Sequence, residues 1–203
     1  MEDTSPIRES RIWDSSSFSF KRGCRICLHA ESGGGKSSLL SFIYGNRSDY
    51  LGEIFFDGKN IKDFNINQWC EIRKKSIALL PQEMRLFPEL SVLENIQLKN
   101  SLTQCKTQLE ILEILSLLGI EDKKNTPASK LSIGQQQRVA LVRTLCQPFD
   151  FIFLDEPVSH LDEKNNRLVA NLVEEEAFKN NAGIITTSVG NHLLLDHPEF
   201  VKL

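Results

Sequence analysis

Ala30-Glu31-Ser32-Gly33-Gly34-Gly35-Lys36-Ser37-Ser38 has the residue types needed to capture a polyphosphate. A triphosphate needs many donors at close range, and backbone N–H groups supply them where no side chain blocks the approach. Gly33, Gly34 and Gly35 give such an open backbone. A helix beginning near Lys36 points its positive end at the phosphates. The Lys36 ammonium can reach the β- and γ-phosphates, the Ser37 hydroxyl can hold Mg²⁺, and Ser32 and Ser38 flank the same cradle. The strict pattern G-x-x-x-x-G-K-[ST] is missed at its first position, where Ala30 stands. A second stretch, Phe149-Asp150-Phe151-Ile152-Phe153-Leu154-Asp155-Glu156-Pro157, is a short apolar run that ends in two acids. Asp155 is the candidate metal ligand, directly or through water, and Glu156 the candidate residue to orient or deprotonate an attacking water. A third, Leu131-Ser132-Ile133-Gly134-Gln135, pairs a serine with a glutamine three positions later, the pattern of a capping box at a helix start. A serine hydroxyl at a helix N-terminus is a good receptor for a γ-phosphate, and Gly134 permits close backbone approach.

These residues require particular elements behind them. Arg25-Ile26-Cys27-Leu28 reads as the buried strand that leads into the glycine loop, and Leu39, Leu40, Phe42 and Ile43 as the apolar face of the following helix. An acid-ended run this apolar suits a central strand of a parallel sheet covered on both faces, with its carboxylates at the mouth where ligands bind. Phe18-Ser19-Phe20 alternates like a half-buried strand, and residues 52–61 read as a β-hairpin turning at Asp57-Gly58. A short helix is expected over 67–74 and a buried strand over 76–80. Residues 83–130 read as helical, with an apolar stripe of Leu109, Ile111, Leu112, Leu115 and Leu118 broken by Gly119. A charged amphipathic helix is expected over 163–178, its Glu174-Glu175-Glu176 run on a solvated face. Phe200-Val201-Lys202-Leu203 reads as a final strand that leaves no room for a regulatory domain.

Together the three stretches resemble the ATP-binding cassette (ABC) family, over nearly the whole chain. The resemblance implies an α/β fold: a P-loop NTPase core with a small antiparallel β subdomain and an inserted helical subdomain. It implies one domain over 1–203, with the core at 1–82 and 136–203 and the helical subdomain at about 83–135. It implies the cofactors ATP and Mg²⁺, with Glu156 as catalytic base. Gln82 matches the family's Q-loop glutamine, which approaches metal and water and links the site to a membrane partner. Ser91 to Ile96 resembles the segment that follows in transporter cassettes, and Ser159-His160-Leu161-Asp162 matches the D-loop. Ser132, Gly134 and Gln135 fall in the signature that closes over ATP held by a second ABC domain. Trp13 stands where an aromatic stacks on adenine, or is an ordinary core residue. Val189 occupies the place of the switch histidine and cannot donate to phosphate. His192, three residues on, either replaces it through a loop shift or is simply solvated. The implied function is the ATP-hydrolysing subunit of an ABC transporter, slowed by the missing histidine. The alternatives are a hydrolysis-poor half of a heterodimer and a non-transport ABC ATPase.

Bulk properties agree. A net charge of −3 argues against a general nucleic-acid grip. No run of about 18 apolar residues spans a bilayer, and the N-terminus has no export signal. The expected setting is therefore cytoplasmic, with membrane contact only through transmembrane permease subunits. Five scattered cysteines suit reduced thiols. Cys24 and Cys27 have C-x-x-C spacing but no second pair to complete a zinc site.

Overall fold

The structure, a computed structural model, describes residues 12, 18–31 and 33–203. Among the described residues, seven strands and six α-helices follow in order: β1 (Arg25–His29), α1 (Lys36–Ile43), β2 (Phe55–Phe56), β3 (Lys59–Asn60), α2 (Ile66–Lys75), β4 (Ile77–Leu80), α3 (Val92–Asn100), α4 (Gln108–Leu117), α5 (Ile133–Leu145), β5 (Phe151–Asp155), α6 (Glu163–Asn180), β6 (Gly183–Ser188) and β7 (Glu199–Lys202). Five strands form one sheet in the order β4-β5-β6-β1-β7, and every pairing in it is parallel. Parallel neighbours need long crossovers, and helices supply them on both faces. β2 and β3 form a separate antiparallel pair around Asp57-Gly58, both with positive φ (48° and 76°), as the tight hairpin turn requires. The α/β architecture with a small antiparallel sheet is thus as expected.

Alternation along the strands divides the core in two. Ile26, Leu28, Ile77, Phe153 and Ile185 face α1. Ala78, Leu80, Ile152, Leu154 and Ile184 face the cluster that includes α3, α4, α5 and α6. Side chains cap the starts of five helices: Asn65, Ser91, Thr107 and Ser132 in complete capping boxes, and Asp162 alone. The exception is α1, whose N-cap is Gly35 with no side-chain cap.

Three expectations are corrected. Residues 18–20 form no strand; Phe18 and Phe20 pack edge to face, and Phe20 packs against Phe153, so they cover the sheet as irregular chain. The buried stripe of α4 is Ile111, Ile114, Leu115 and, at the C-cap, Leu118, while Leu109 is 66% exposed. The i, i+3, i+4, i+7 geometry excludes position 109 and admits 114. The acidic run of α6 is not wholly solvated: the Glu176 carboxylate is buried and paired with buried Lys106 at 2.6 Å. Lys106 enters from the turn between α3 and α4, where Asn100 clips its N–H and C=O. That pair ties the start of α4 to α6.

Candidate nucleotide site

The glycine loop links β1 to α1. Gly35 has φ 86°, a left-handed conformation that glycine adopts without steric cost, and it aims the uncapped first turn of α1 at the loop. Those free N–H groups and the helix dipole make the start of α1 fit for an anion. Lys36 is buried, and its ammonium donates to the carbonyls of Ala30 (3.0 Å) and Glu31 (3.1 Å), closing the loop on itself. The departure at Ala30 has a local answer. A Cβ on Gly34 would lie 2.7 Å from the Ala30 methyl, so the side chain missing at position 34 makes room for the one present at 30. Ser37 is exposed at the loop, and the Ser38 hydroxyl accepts from Arg47 at 3.0 Å. Trp13 and Ser32 lie outside the described residues.

Strand register brings the acids beside this loop. Leu28 pairs with Thr187, and Thr187 with Asp155, in one row across β1, β6 and β5. Asp155 is buried and accepts from the Thr187 hydroxyl at 2.6 Å through Oδ1. The Glu156 N–H donates to that same hydroxyl at 3.1 Å. Glu156 has φ 50°, a left-handed conformation that costs a non-glycine residue about 1–2 kcal/mol. Its carbonyl accepts from Gln137 Nε2 at 3.1 Å and its carboxylate from Gln82 Nε2 at 3.3 Å. Gln82 and Glu156, 74 residues apart in sequence, thus meet in space. Among the described residues no cluster of three or more His, Cys, Asp or Glu forms a metal cage. One buried carboxylate beside a phosphate loop is still the donor set that suits Mg²⁺, which keeps waters and takes phosphate oxygens as further ligands.

Several supporting residues were not expected from sequence. Arg143 of α5 donates to the carbonyls of Met84 and Arg85, two consecutive residues with positive φ (57° and 50°), and so clamps the bend after Gln82. Asn95, fully buried, accepts from the Phe87 N–H and donates to the carbonyls of Phe87, Leu90 and Ser91. Thr187 and Gln137 hold Glu156. No motif marks these four, because each acts on backbone that is distant in sequence or curled by the fold. A groove of about 300 Å³ lies beside the bend, lined by Tyr44, Pro81, Lys99 and Arg143 among others.

Ser132 caps α5 through the expected box: its hydroxyl accepts from Gln135 N–H (3.3 Å), and Gln135 Oε1 accepts from Ser132 N–H (3.0 Å). A Cβ on Gly134 would sit 3.4 Å from the His160 carbonyl and 3.7 Å from the Leu161 side chain, so the start of α5 packs closely on His160-Leu161. Ile133 is 55% exposed and Val189 46% exposed. Among the described residues no hydrogen bond or ion pair joins 132–135 to 33–38. His192 lies in irregular chain, with its ring edge to face against Phe200 at 5.2 Å, which turns it toward β7.

A lysine-bearing glycine loop, an uncapped helix start and an acid pair at the C-terminal edge of a parallel sheet are the marks of the P-loop NTPase fold. The comparisons with known proteins are more specific. The family model for the ABC transporter matches residues 13–159. The lipoprotein-releasing system ATP-binding protein LolD of Buchnera aphidicola is 32% identical over 172 residues, covering 82% of this chain and 74% of its own length. The xylose import ATP-binding protein XylG of Histophilus somni and the Fe(3+) ions import ATP-binding protein FbpC of Fusobacterium nucleatum are each 34% identical, over 78% and 88% of this chain. The chain spans about a third of the former's length (32%) and about half of the latter's (47%). Among solved structures, the ABC transporter cassette MJ0796 matches with a TM-score of 0.76 at 27% identity, covering 85% of this chain and 77% of that one. A dimeric structure of MJ0796 bound to ADP and Pi matches with a TM-score of 0.75 at the same identity, over 84% and 77% of the two chains. The chain belongs to the ABC transporter ATP-binding family.

Proposed function

We propose that this chain is the ATP-binding and ATP-hydrolysing subunit of an ABC transporter, and that two such domains close around two Mg²⁺-ATP to drive transmembrane permease subunits. The observation that carries this reading is the joining of Asp155, Glu156 and Gln82 at one strand end beside the Lys36 loop. In this reading Gly33, Gly34, Gly35, Lys36 and Ser38 hold the phosphates, with Ser32 completing the loop and Trp13 stacking on the base. Ser37, Asp155 and Gln82 hold Mg²⁺, which when bound neutralises charge on the phosphate oxygens. Glu156 takes the proton of the attacking water, and its contact with Gln82 keeps the carboxylate turned toward that water. Ser132, Gly134 and Gln135 of one domain meet the γ-phosphate held by the other. ATP is then the polyanion shared by two surfaces, and hydrolysis releases them.

The division into a core (1–82 and 136–203) and a helical part (83–135) belongs to the same reading, with the bend at Gln82 and the groove beside Arg143 facing the permease. Among the described residues no helix is long and apolar enough to cross a membrane. The reading places the chain on the cytoplasmic face, held there by its partner, with no role for nucleic acid. The test is Glu156→Gln: with Mg²⁺-ATP in excess it should elute as a dimer in size exclusion with light scattering, and revert to a monomer with ADP. A monomer under every nucleotide condition refutes the reading. Val189 and Ile133, both on the surface where family members carry histidine and glycine, favour a second reading in which this chain is the slow half of a heterodimer.

A further inference from the structure

One hydroxyl connects the two carboxylate residues of the site. Thr187, the last residue but one of β6, has only 1% of its surface exposed and lies directly in register with Asp155. Its hydroxyl has one proton to give, and gives it to Asp155 Oδ1 at 2.6 Å. Its lone pair receives the Glu156 N–H at 3.1 Å. Gln137 holds the carbonyl of Glu156 from the other side. Both peptide groups around the Glu156 Cα are therefore fixed, across a left-handed φ of 50° that the residue does not favour. With Oδ1 engaged, the Asp155 carboxylate is held in one orientation.

We propose that Thr187 is a positioning residue for hydrolysis: by bridging the Asp155 carboxylate and the Glu156 backbone, it sets the metal-holding oxygen and the base in one fixed relation. This rests on the hydrolytic reading above. Valine has the same shape but neither donates nor accepts, so it would leave the Glu156 N–H and Asp155 Oδ1 without their shared partner. Serine keeps the bridge and loses only a methyl group.

The test compares Thr187→Val and Thr187→Ser in the full chain, with Thr187→Ala in place of the valine variant if that does not fold. Turnover of Mg²⁺-ATP, its KM, and backbone amide hydrogen exchange at Glu156 are measured for each. Thr187→Val should lower kcat about 10–100-fold with KM changed less than about threefold, and the Glu156 amide should exchange at least about tenfold faster. Thr187→Ser should stay within about threefold of the parent in all three. A valine variant with parental kcat and parental exchange overturns the inference. So does a serine variant as impaired as the valine one, since that would make the methyl packing, not the hydroxyl, responsible. Absence of ATP binding and turnover in the parent chain would instead sink the hydrolytic reading, and the exchange rate at Glu156 would still report whether the bridge exists.

Discussion

Removing either member of the Lys106–Glu176 pair should destabilise the chain, but unequally. The two side chains are each 7% exposed and their charged atoms lie 2.6 Å apart. Breaking a buried pair by deleting one partner costs about 3–5 kcal/mol, because the remaining charge is left without compensation. Glu176→Gln leaves the Lys106 ammonium in that position, since Glu176 is the carboxylate to which it donates. At about 2–4 °C per kcal/mol for a domain of this size, the melting temperature should fall by about 6–20 °C. Lys106→Met is milder. Glu176 keeps the ammonium of Lys179 at 3.1 Å, which sits at the solvent side with 56% of its side chain exposed. The expected loss is about 1.5–3 kcal/mol, that of a charged hydrogen bond. The double variant Lys106→Met/Glu176→Leu should recover much of the loss, because apolar groups of similar volume replace buried pairs without penalty. Urea and thermal unfolding followed by far-UV circular dichroism would read all three. Equal losses in the single variants, or a double variant no better than Glu176→Gln, would refute the reasoning. The pair ties the entry of α4 to α6, so its loss should also loosen the helical region against the sheet, seen as faster amide exchange across 107–117.

Val189→His should raise steady-state ATP turnover by about 10²–10³-fold by restoring a donor to developing charge, with ATP affinity little changed; unchanged turnover counts against the proposed slow hydrolysis. Arg143→Met should release the carbonyls of Met84 and Arg85 and cost about 1–3 kcal/mol in urea unfolding, with increased proteolysis at 82–86. Burial pushes the Cys146 thiol up to about 12, while in the unfolded chain it ionises near 9.0. The unfolded chain therefore loses this proton first, and the thiol's share of stability, full below pH 9, declines as pH rises from about 9 to 12. Comparing urea midpoints at pH 8.5 and 10.5, the parent should lose more than Cys146→Ala. The buried Cys146 should also react with iodoacetamide after exposed Cys70 and Cys105, as mass spectrometry of partially labelled protein would show.

Local physics explains what was legible from the chain alone. The glycine loop and Lys36, the strand ending at Asp155-Glu156, the Asp57-Gly58 turn and the Ser132 box each depend on neighbours within a few residues. Their chemistry is written in consecutive letters, and so the candidate nucleotide residues and the α/β layers could be read before any coordinates. Burial and register are collective and were misread or missed. Leu109 and Ile114 are equally apolar, and only docking of α4 decides which faces the core. Glu174-Glu175-Glu176 looks uniformly solvated until Lys106 arrives from a turn 70 residues earlier. Thr187 is an unmarked strand residue until parallel pairing sets it opposite Asp155, and Arg143 is one more helical arginine until the chain bends back under it after Gln82. The amino-acid order determined which groups can bind phosphate and metal. The tertiary structure decided which backbone holds them still, because a hydrogen bond between residues 155 and 187, or 82 and 156, exists only once the sheet has aligned its strands.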